Sequence, residues 1–311
     1  MRHRRLAASV VALVVSGPLL ALGGAWLATP GVGDLARRVA LRPRSERGRV
    51  LGLASITPMT VDALVATEDE RYWRNSGIDV IGLLRAIPYD VTHVSLAQGG
   101  STLTEQLAKN LWLGGNDGNA WAKLRDMALA LKLGRSYSKT VVLQDYLGTA
   151  YFGEGAYGID RASRRYFGVP PRSLDAAQAT LLVGLVQAPT SYDPYTHPAA
   201  SRERQVEVLR SLVRVGKLRD ARARQLLAEP LQLADGRRVP GIAGVDLSAG
   251  PAVAWRELSV AVAALLAGVA AVIMGRLGRI RHPLVARAAA IAGVCLLGAG
   301  LVAAVRSFRV L

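Results

Sequence analysis

The chain has 311 residues, 51% of them hydrophobic, and a formal net charge of +16. Its single cysteine, Cys295, excludes a disulfide framework and a cysteine-based metal site, and His3, His93, His197 and His282 are too scattered to form a ligand set. The length admits one large or two ordinary domains, and the cationic excess points to a nucleic acid, a membrane-apposed surface or a phosphate-bearing substrate.

Met-Arg-His-Arg-Arg precedes an uncharged run, Leu6 to Thr29, and a bilayer is crossed by about 18 to 20 apolar residues. A basic start and small residues near Gly24 and Ala25 would also suit a cleaved signal peptide, but the length favours an uncleaved anchor. Residues 1–29 are thus expected to be a cytoplasmic basic terminus and transmembrane anchor, and 30–49 a linker.

Residues 50–228 show apolar recurrence at the helical period and almost no two-residue alternation, which predicts a mostly helical domain. TVDALVA runs as a helix into ATEDERYWRNSGID, where Glu68, Asp69 and Glu70 stand together. Adjacent carboxylates repel, and one that is also partly buried acquires the raised pKa a general base needs; a solvated acidic helix end is the plainer alternative.

In GGSTLTEQLAKN, Gly99 and Gly100 permit a tight turn, Thr102 and Glu105 fit a capping box, and Leu103, Leu107 and Leu111 form an apolar stripe. Thr102, Gln106 and Lys109 then share one helix face beside the free N–H groups of the first turn, an arrangement suited to phosphate. A capped helix with a solvated polar face is the alternative. In KLRDMALALKL, Lys123 and Asp126 fall three apart on one face, where a surface ion pair is the default.

Two motifs mislead. GEGAYG, Gly153 to Gly158, has the letter pattern of a dinucleotide loop but no preceding strand, and SYSK, Ser136 to Lys139, lacks the other elements of a serine acyl-transfer site. Ser138 reads as the N-cap of the following helix. Further on, SLDAAQATLLVGLVQAP predicts a helix with Ser173 as N-cap and Asp175 in its first turn, ending before Pro189. TSYDPYTHPAAS reads as loop, and helix resumes until Gly216.

Residues 229–257 read as a second linker, 258–275 and 288–305 as two more transmembrane helices, and 306–311 as a tail. The loop 276–287 carries Arg276, Arg279, Arg281 and Arg287, so the positive-inside rule places it in the cytoplasm with Arg2, Arg4 and Arg5. Residues 30–257 then lie outside, which removes nucleic acid and nucleotide as partners. A buried helical hairpin is the alternative for the last two segments.

Taken in order, ATEDERYWRNSGID, QGGSTLTEQLAKNLW, KLRDMALALKLGRSYSK, YLGTAYFGEGAYGIDRASRRYFG, LLVGLVQAPTSYDPYTHP and RQVEVL resemble the glycosyltransferase family 51 domain. That domain is the peptidoglycan polymerase module of bifunctional penicillin-binding proteins and of monofunctional transglycosylases. The resemblance covers roughly residues 50–220. It implies a lysozyme-like helical fold with a membrane-apposed jaw subdomain, carried here with three transmembrane helices on a multi-pass protein of the bacterial cytoplasmic membrane.

The resemblance further implies polymerisation of lipid II into β-1,4-linked glycan with inversion. Glu68 is matched to the general base and Asp126 to the second catalytic carboxylate. Asp69, Ser101, Thr102, Gln106, Lys109 and Lys123 are matched to substrate binding. A magnesium or manganese ion is a family-level expectation, with its ligands unknown. Implied partners are lipid II, the nascent glycan strand and the membrane, together with a transpeptidase or with division or elongation proteins.

The chain also departs from the family pattern. Asp126 stands for a glutamate, Ala122 for an arginine, Asn75 for a histidine, and Glu105-Gln106 for a glutamine pair. These departures support a second reading, a catalytically impaired relative that binds lipid II or a cell-wall partner. A third reading, a lytic muramidase-like enzyme, rests on fold kinship alone.

Overall fold

The computed structural model describes residues 20–43, 45–46, 48–82, 101–113 and 120–247. The architecture is mostly helical. In chain order the helices are α1 (Leu35–Leu41), α2 (Pro58–Glu68), α3 (Leu103–Ala108), α4 (Ala120–Ser136), α5 (Lys139–Thr149), α6 (Ile159–Phe167), α7 (Ala176–Leu185), α8 (Pro198–Arg214) and α9 (Asp220–Ala228). Strands β1 (Leu231–Gln232) and β2 (Arg238–Val239) pair antiparallel, Leu231 opposite Val239, and form the only sheet among the described residues.

α7 is the interior element. Its sequence AAQATLLVGL is apolar nearly all round, so it is buried on every side, with Ala179 through Leu185 covered. α2, α8 and α9 pack against it, as does α6. α8 contributes an ordinary amphipathic face, with Val208, Leu209 and Leu212 fully buried. α3 packs against α4 and α5 and brings its first residue, Leu103, to Asp69 at the end of α2.

The helix boundaries refine the sequence reading. Ser138 does cap α5, accepting from Val141 N at 3.3 Å. Ser173 does not cap α7: Pro171–Ser173 form a 3₁₀ turn, and Asp175 is the N-cap. Its carboxylate accepts from Gln178 N at 2.8 Å while Gln178 Oε1 accepts from Asp175 N at 3.1 Å, which is a full capping box. The short Asp side chain two residues nearer the apolar run, with Gln three beyond it, satisfies two end N–H groups that Ser173 could not reach.

Residues 30–49, expected as linker, fold onto the domain: α1 sets Leu35 and Val39 into the core beside Val32. The start of the second expected linker does the same. Leu231, Leu233, Val239 and Leu247 are buried, and Arg202 of α8, itself buried, donates to the carbonyls of Pro240 at 2.7 Å and Leu227 at 3.0 Å and to that of Glu229.

Residues 20–28 are helical, and Lys132 of α4 closes the end of that stretch. Its ammonium donates to Trp26 O at 2.8 Å, Thr29 O at 2.6 Å, Thr29 Oγ1 at 3.0 Å and Pro30 O at 3.2 Å. Carbonyls left over at a helix C-terminus attract a cation for this reason. Among the described residues no helix is long and apolar enough to cross a membrane. The expected spans 258–275 and 288–305 lie outside the described residues, as does most of the expected first span.

One close approach places the site. Gly77, at φ +111°, and Gly134 of α4 bring the turn after α2 against α4: a Cβ on Gly77 would meet Ala130 O at 2.2 Å, and one on Gly134 would meet Ser76 O at 2.2 Å.

Candidate active site

Glu68 is the last residue of α2, and α8 and α3 supply its partners. Arg204 of α8 contacts Oε1 at 3.2 Å, and Gln106 of α3 donates to Oε2 at 3.1 Å. Tyr146 of α5 donates from its hydroxyl to Gln106 Oε1 at 2.7 Å, which fixes the amide with its NH₂ toward the carboxylate. The Glu68 side chain keeps 12% exposure and that of Arg204 14%. The carboxylate is therefore oriented from three helices with a narrow edge open to a ligand. Burial and the nearby Glu68 charge hold the Tyr146 phenol well above its usual range, so it remains a donor.

Arg204 received no role from sequence. It heads RQVEVL and lies four residues before the buried Val208, and an arginine in line with an apolar stripe was the available signal. Gly184 of α7 makes room for it, since a Cβ there would meet Arg204 Cγ at 3.2 Å.

Asp69 is only 5% exposed. Its Oδ1 accepts from Asn75 Nδ2 at 2.8 Å and its Oδ2 from Leu103 N at 3.2 Å. Burial outweighs these bonds and pushes its pKa up to about 6; Lys139 opposes the rise and Asp79 adds to it. Asn75 Oδ1 in turn accepts from Lys139 Nζ at 2.6 Å and from Gly77 N at 3.1 Å.

These bonds occupy two donors of the expected phosphate cradle: Leu103 N is held by Asp69, and Glu105 N donates to Thr102 Oγ1 at 3.1 Å. Thr102 is 2% exposed and donates to Gly77 O at 2.5 Å, so it is turned inward rather than aligned with Gln106 and Lys109 on an open face. Neither is the capping box complete. The Glu105 carboxylate leaves its own helix end and pairs with Lys123 of α4. Lys123 also donates to Ser101 Oγ at 2.8 Å.

Lys123 thus has a partner that its spacing from Asp126 did not reveal, the Glu105 carboxylate. Glu105 draws it across the α3–α4 interface because that acid is 3% exposed and a buried carboxylate needs a counter-charge. Burial still holds the Glu105 carboxyl above its usual range, against the pull of Lys123, and the Asp126 charge adds to the rise. Asp126 thus lies near Glu105. Lys109 opens a π-helical turn, Lys109–Leu113, and its ammonium has no hydrogen bond or ion pair among the described residues.

No group of three or more His, Cys, Asp or Glu side chains able to hold a metal ion occurs among the described residues. The neighbouring carboxylates Glu105 and Asp126 have the Lys123 ammonium beside them, which does not fit a dedicated divalent site. Where GEGAYG was rejected as a nucleotide loop, an isolated bridge joins Tyr151 to Tyr157, with Glu154 at φ +51° paired to Arg165.

Comparison with known proteins places these residues among relatives. The family model described as Transglycosylase matches residues 34–213. A Cupriavidus necator relative whose name carries the word transglycosylase is 33% identical over 236 residues, covering 74% of this chain and 99% of its own. Penicillin-binding protein 2D of Bacillus subtilis is 36% identical over 180 residues, covering 58% of this chain and 26% of its own. Penicillin-binding protein 1A of Mycolicibacterium smegmatis is 35% identical over 236 residues, covering 70% of this chain and 30% of its own. The chain thus spans between a quarter and a third of the penicillin-binding proteins named here and nearly all of the Cupriavidus protein.

Proposed function

The chain belongs to the transglycosylase family, and from that premise we propose that it is a peptidoglycan glycosyltransferase that polymerises lipid II into β-1,4-linked glycan with inversion. The observation that carries the reading is the Glu68 carboxylate, held by Arg204 and by a Gln106 amide that Tyr146 orients.

In this reading Glu68 accepts the proton of the acceptor sugar's 4-hydroxyl as its oxygen attacks the donor's anomeric carbon. The bond from that carbon to the lipid diphosphate breaks, and the diphosphate leaves with the electron pair. Fixing the carboxylate beforehand spares reorientation during the step. The leaving group is already weakly basic, so neutralising its charge matters more than protonating it. Lys109 suits that task, because its ammonium is uncommitted among the described residues whereas Lys123 is bound to Glu105. Ser101 and Gln106 contribute polar contacts to the sugars. Asp69 and Thr102 act from behind, by closing the end of α3 against the turn at Gly77. Asp126 contributes a carboxylate near Glu105, and no step is routed through a metal ion.

The remainder of the reading concerns the setting. It places residues 30–257 outside the cytoplasmic membrane, anchored by spans at 6–29, 258–275 and 288–305, with a jaw subdomain against the lipid. The exposed apolar side chains Leu20, Leu27, Val80, Ile81 and Trp121 support a lipid-facing surface. A transpeptidase or another cell-wall protein is the expected partner.

The test is polymerisation of purified lipid II by the detergent-solubilised full-length protein beside Glu68→Gln. Long glycan products that fall by about a hundredfold or more in the variant are expected, the usual contribution of a general base. If the wild type binds lipid II but makes no polymer, the impaired, binding-only relative is the correct reading.

A further inference from the structure

We infer that Arg38 and Arg42 of α1 are positioning residues for Lys109, clamping the π-helical turn from which that lysine projects. The inference rests on the proposed function for what Lys109 meets, and on geometry alone for the clamp.

α1 carries two stripes at four-residue spacing. Leu35 and Val39 enter the core, which accounts for how the helix packs. Arg38 and Arg42 form the second stripe and run along the turn Lys109–Leu113. Arg42 donates to Asn110 O at 3.2 Å and Arg38 to Leu111 O at 3.3 Å. Each arginine is itself fixed. Asp34 holds Arg38 through both carboxylate oxygens at 3.1 and 3.0 Å, and the guanidinium lies 4.8 Å from the centre of the Trp112 ring. Glu46 holds Arg42 at 3.4 Å, and its guanidinium stands 5.8 Å from the Tyr157 ring.

A π turn is intrinsically poor. Its wider winding weakens the ladder, it recurs at functional sites, and a helix end leaves its last carbonyls without intrahelical donors. Here two consecutive carbonyls just past Lys109 receive cationic donors from another element, and the next side chain, Trp112, is covered by the same arginine. Such charge-assisted bonds are stronger than neutral ones. The clamp fixes the backbone immediately C-terminal to Lys109 while its ammonium stays uncommitted among the described residues, which is what a residue that must meet the donor's diphosphate requires. The apolar packing of α1 does not need either guanidinium, since both side chains remain partly exposed.

The experiment compares full-length wild type in detergent with Arg38→Met/Arg42→Met and with Arg37→Met, which removes an exposed charge from the same helix. The readouts are backbone amide exchange, the binding constant for lipid II, and the KM and kcat of polymerisation. The double variant is expected to exchange faster over 109–113 while α7 stays protected. It is also expected to lower kcat/KM and to weaken lipid II binding, each about tenfold, the scale of one charged hydrogen bond lost. Arg37→Met should match wild type in all three.

Unchanged exchange over 109–113 overturns the clamp, as do unaltered lipid II binding and kcat/KM, or an equal effect from Arg37→Met. If the wild type binds lipid II without polymerising it, the glycosyltransferase reading fails by itself. The tenfold loss of binding in the double variant then still upholds the inference, and its absence overturns it.

Discussion

Asn75 and Asp69 show how a residue that breaks a family pattern can still hold a site together. Asn75 bridges Asp69 and Lys139, donating to the first and accepting from the second, so an amide performs both halves of the link. Asn75→Ala removes both and leaves the Asp69 charge buried with one fewer donor. Slower turnover and lower stability together are expected, read from polymerisation and urea unfolding. The raised pKa of Asp69 carries its own signature. With a native value of about 6 against an ordinary 3.8, the folded protein binds the extra proton between those limits. The stability this group contributes is therefore complete below about pH 3.8 and lost as pH rises through 6. Relative to Asp69→Asn, wild type should lose about 2 kcal/mol between pH 4 and 6.5, most of the shift at about 1.4 kcal/mol per pKa unit, in unfolding measured across that range.

At the scale of elements, the candidate site depends on how closely α7 and α8 approach. Gly184 sits inside α7, where glycine is about 1 kcal/mol less favourable than alanine, and its missing Cβ accommodates the stem of Arg204. Gly184→Ala should thus leave the midpoint of thermal unfolding unchanged or higher while displacing Arg204 from Glu68. Polymerisation is expected to fall between severalfold and about a hundredfold, the latter for a shift near 1 Å. Thermal unfolding and initial rates on one preparation check both parts. The helical class, the cap at Ser138 and the end of α8 before Gly216 were legible because they depend on local periodicity and backbone chemistry. Thr102 was legible as a cap, but not its inward turn, because that depends on Gly77 O from a segment 25 residues away. The same limit hid the Glu105–Lys123 pair and Arg204: a sequence shows charges at helical spacing, whereas which helix faces which is decided by the apolar packing of α2, α3, α4 and α8. The docking of residues 32–39 and 231–239 was hidden for a related reason, since Leu35, Val39, Leu231 and Val239 are too few to make a periodic signal and are buried only by what they dock onto.

The largest scale concerns how the helical body is joined to what flanks it. Lys132 fastens the end of the helical stretch 20–28 to α4, the helix that also carries Lys123 and Asp126. Trp26 lies beneath two cations, with Lys132 at 5.0 Å and Arg135 at 5.2 Å from its ring. Lys132→Met should release this junction. Faster proteolysis near residues 30–34 and a changed Trp26 fluorescence are expected, with the far-UV helical signal nearly unchanged; intact protection would show that the ammonium is dispensable there. At the other end, Arg202 pins the β1–β2 hairpin against α8. A helical body whose outermost described segments are both clasped by a cation cannot fray inward from either side until a charged contact breaks, so its loss of structure is held back to one cooperative step.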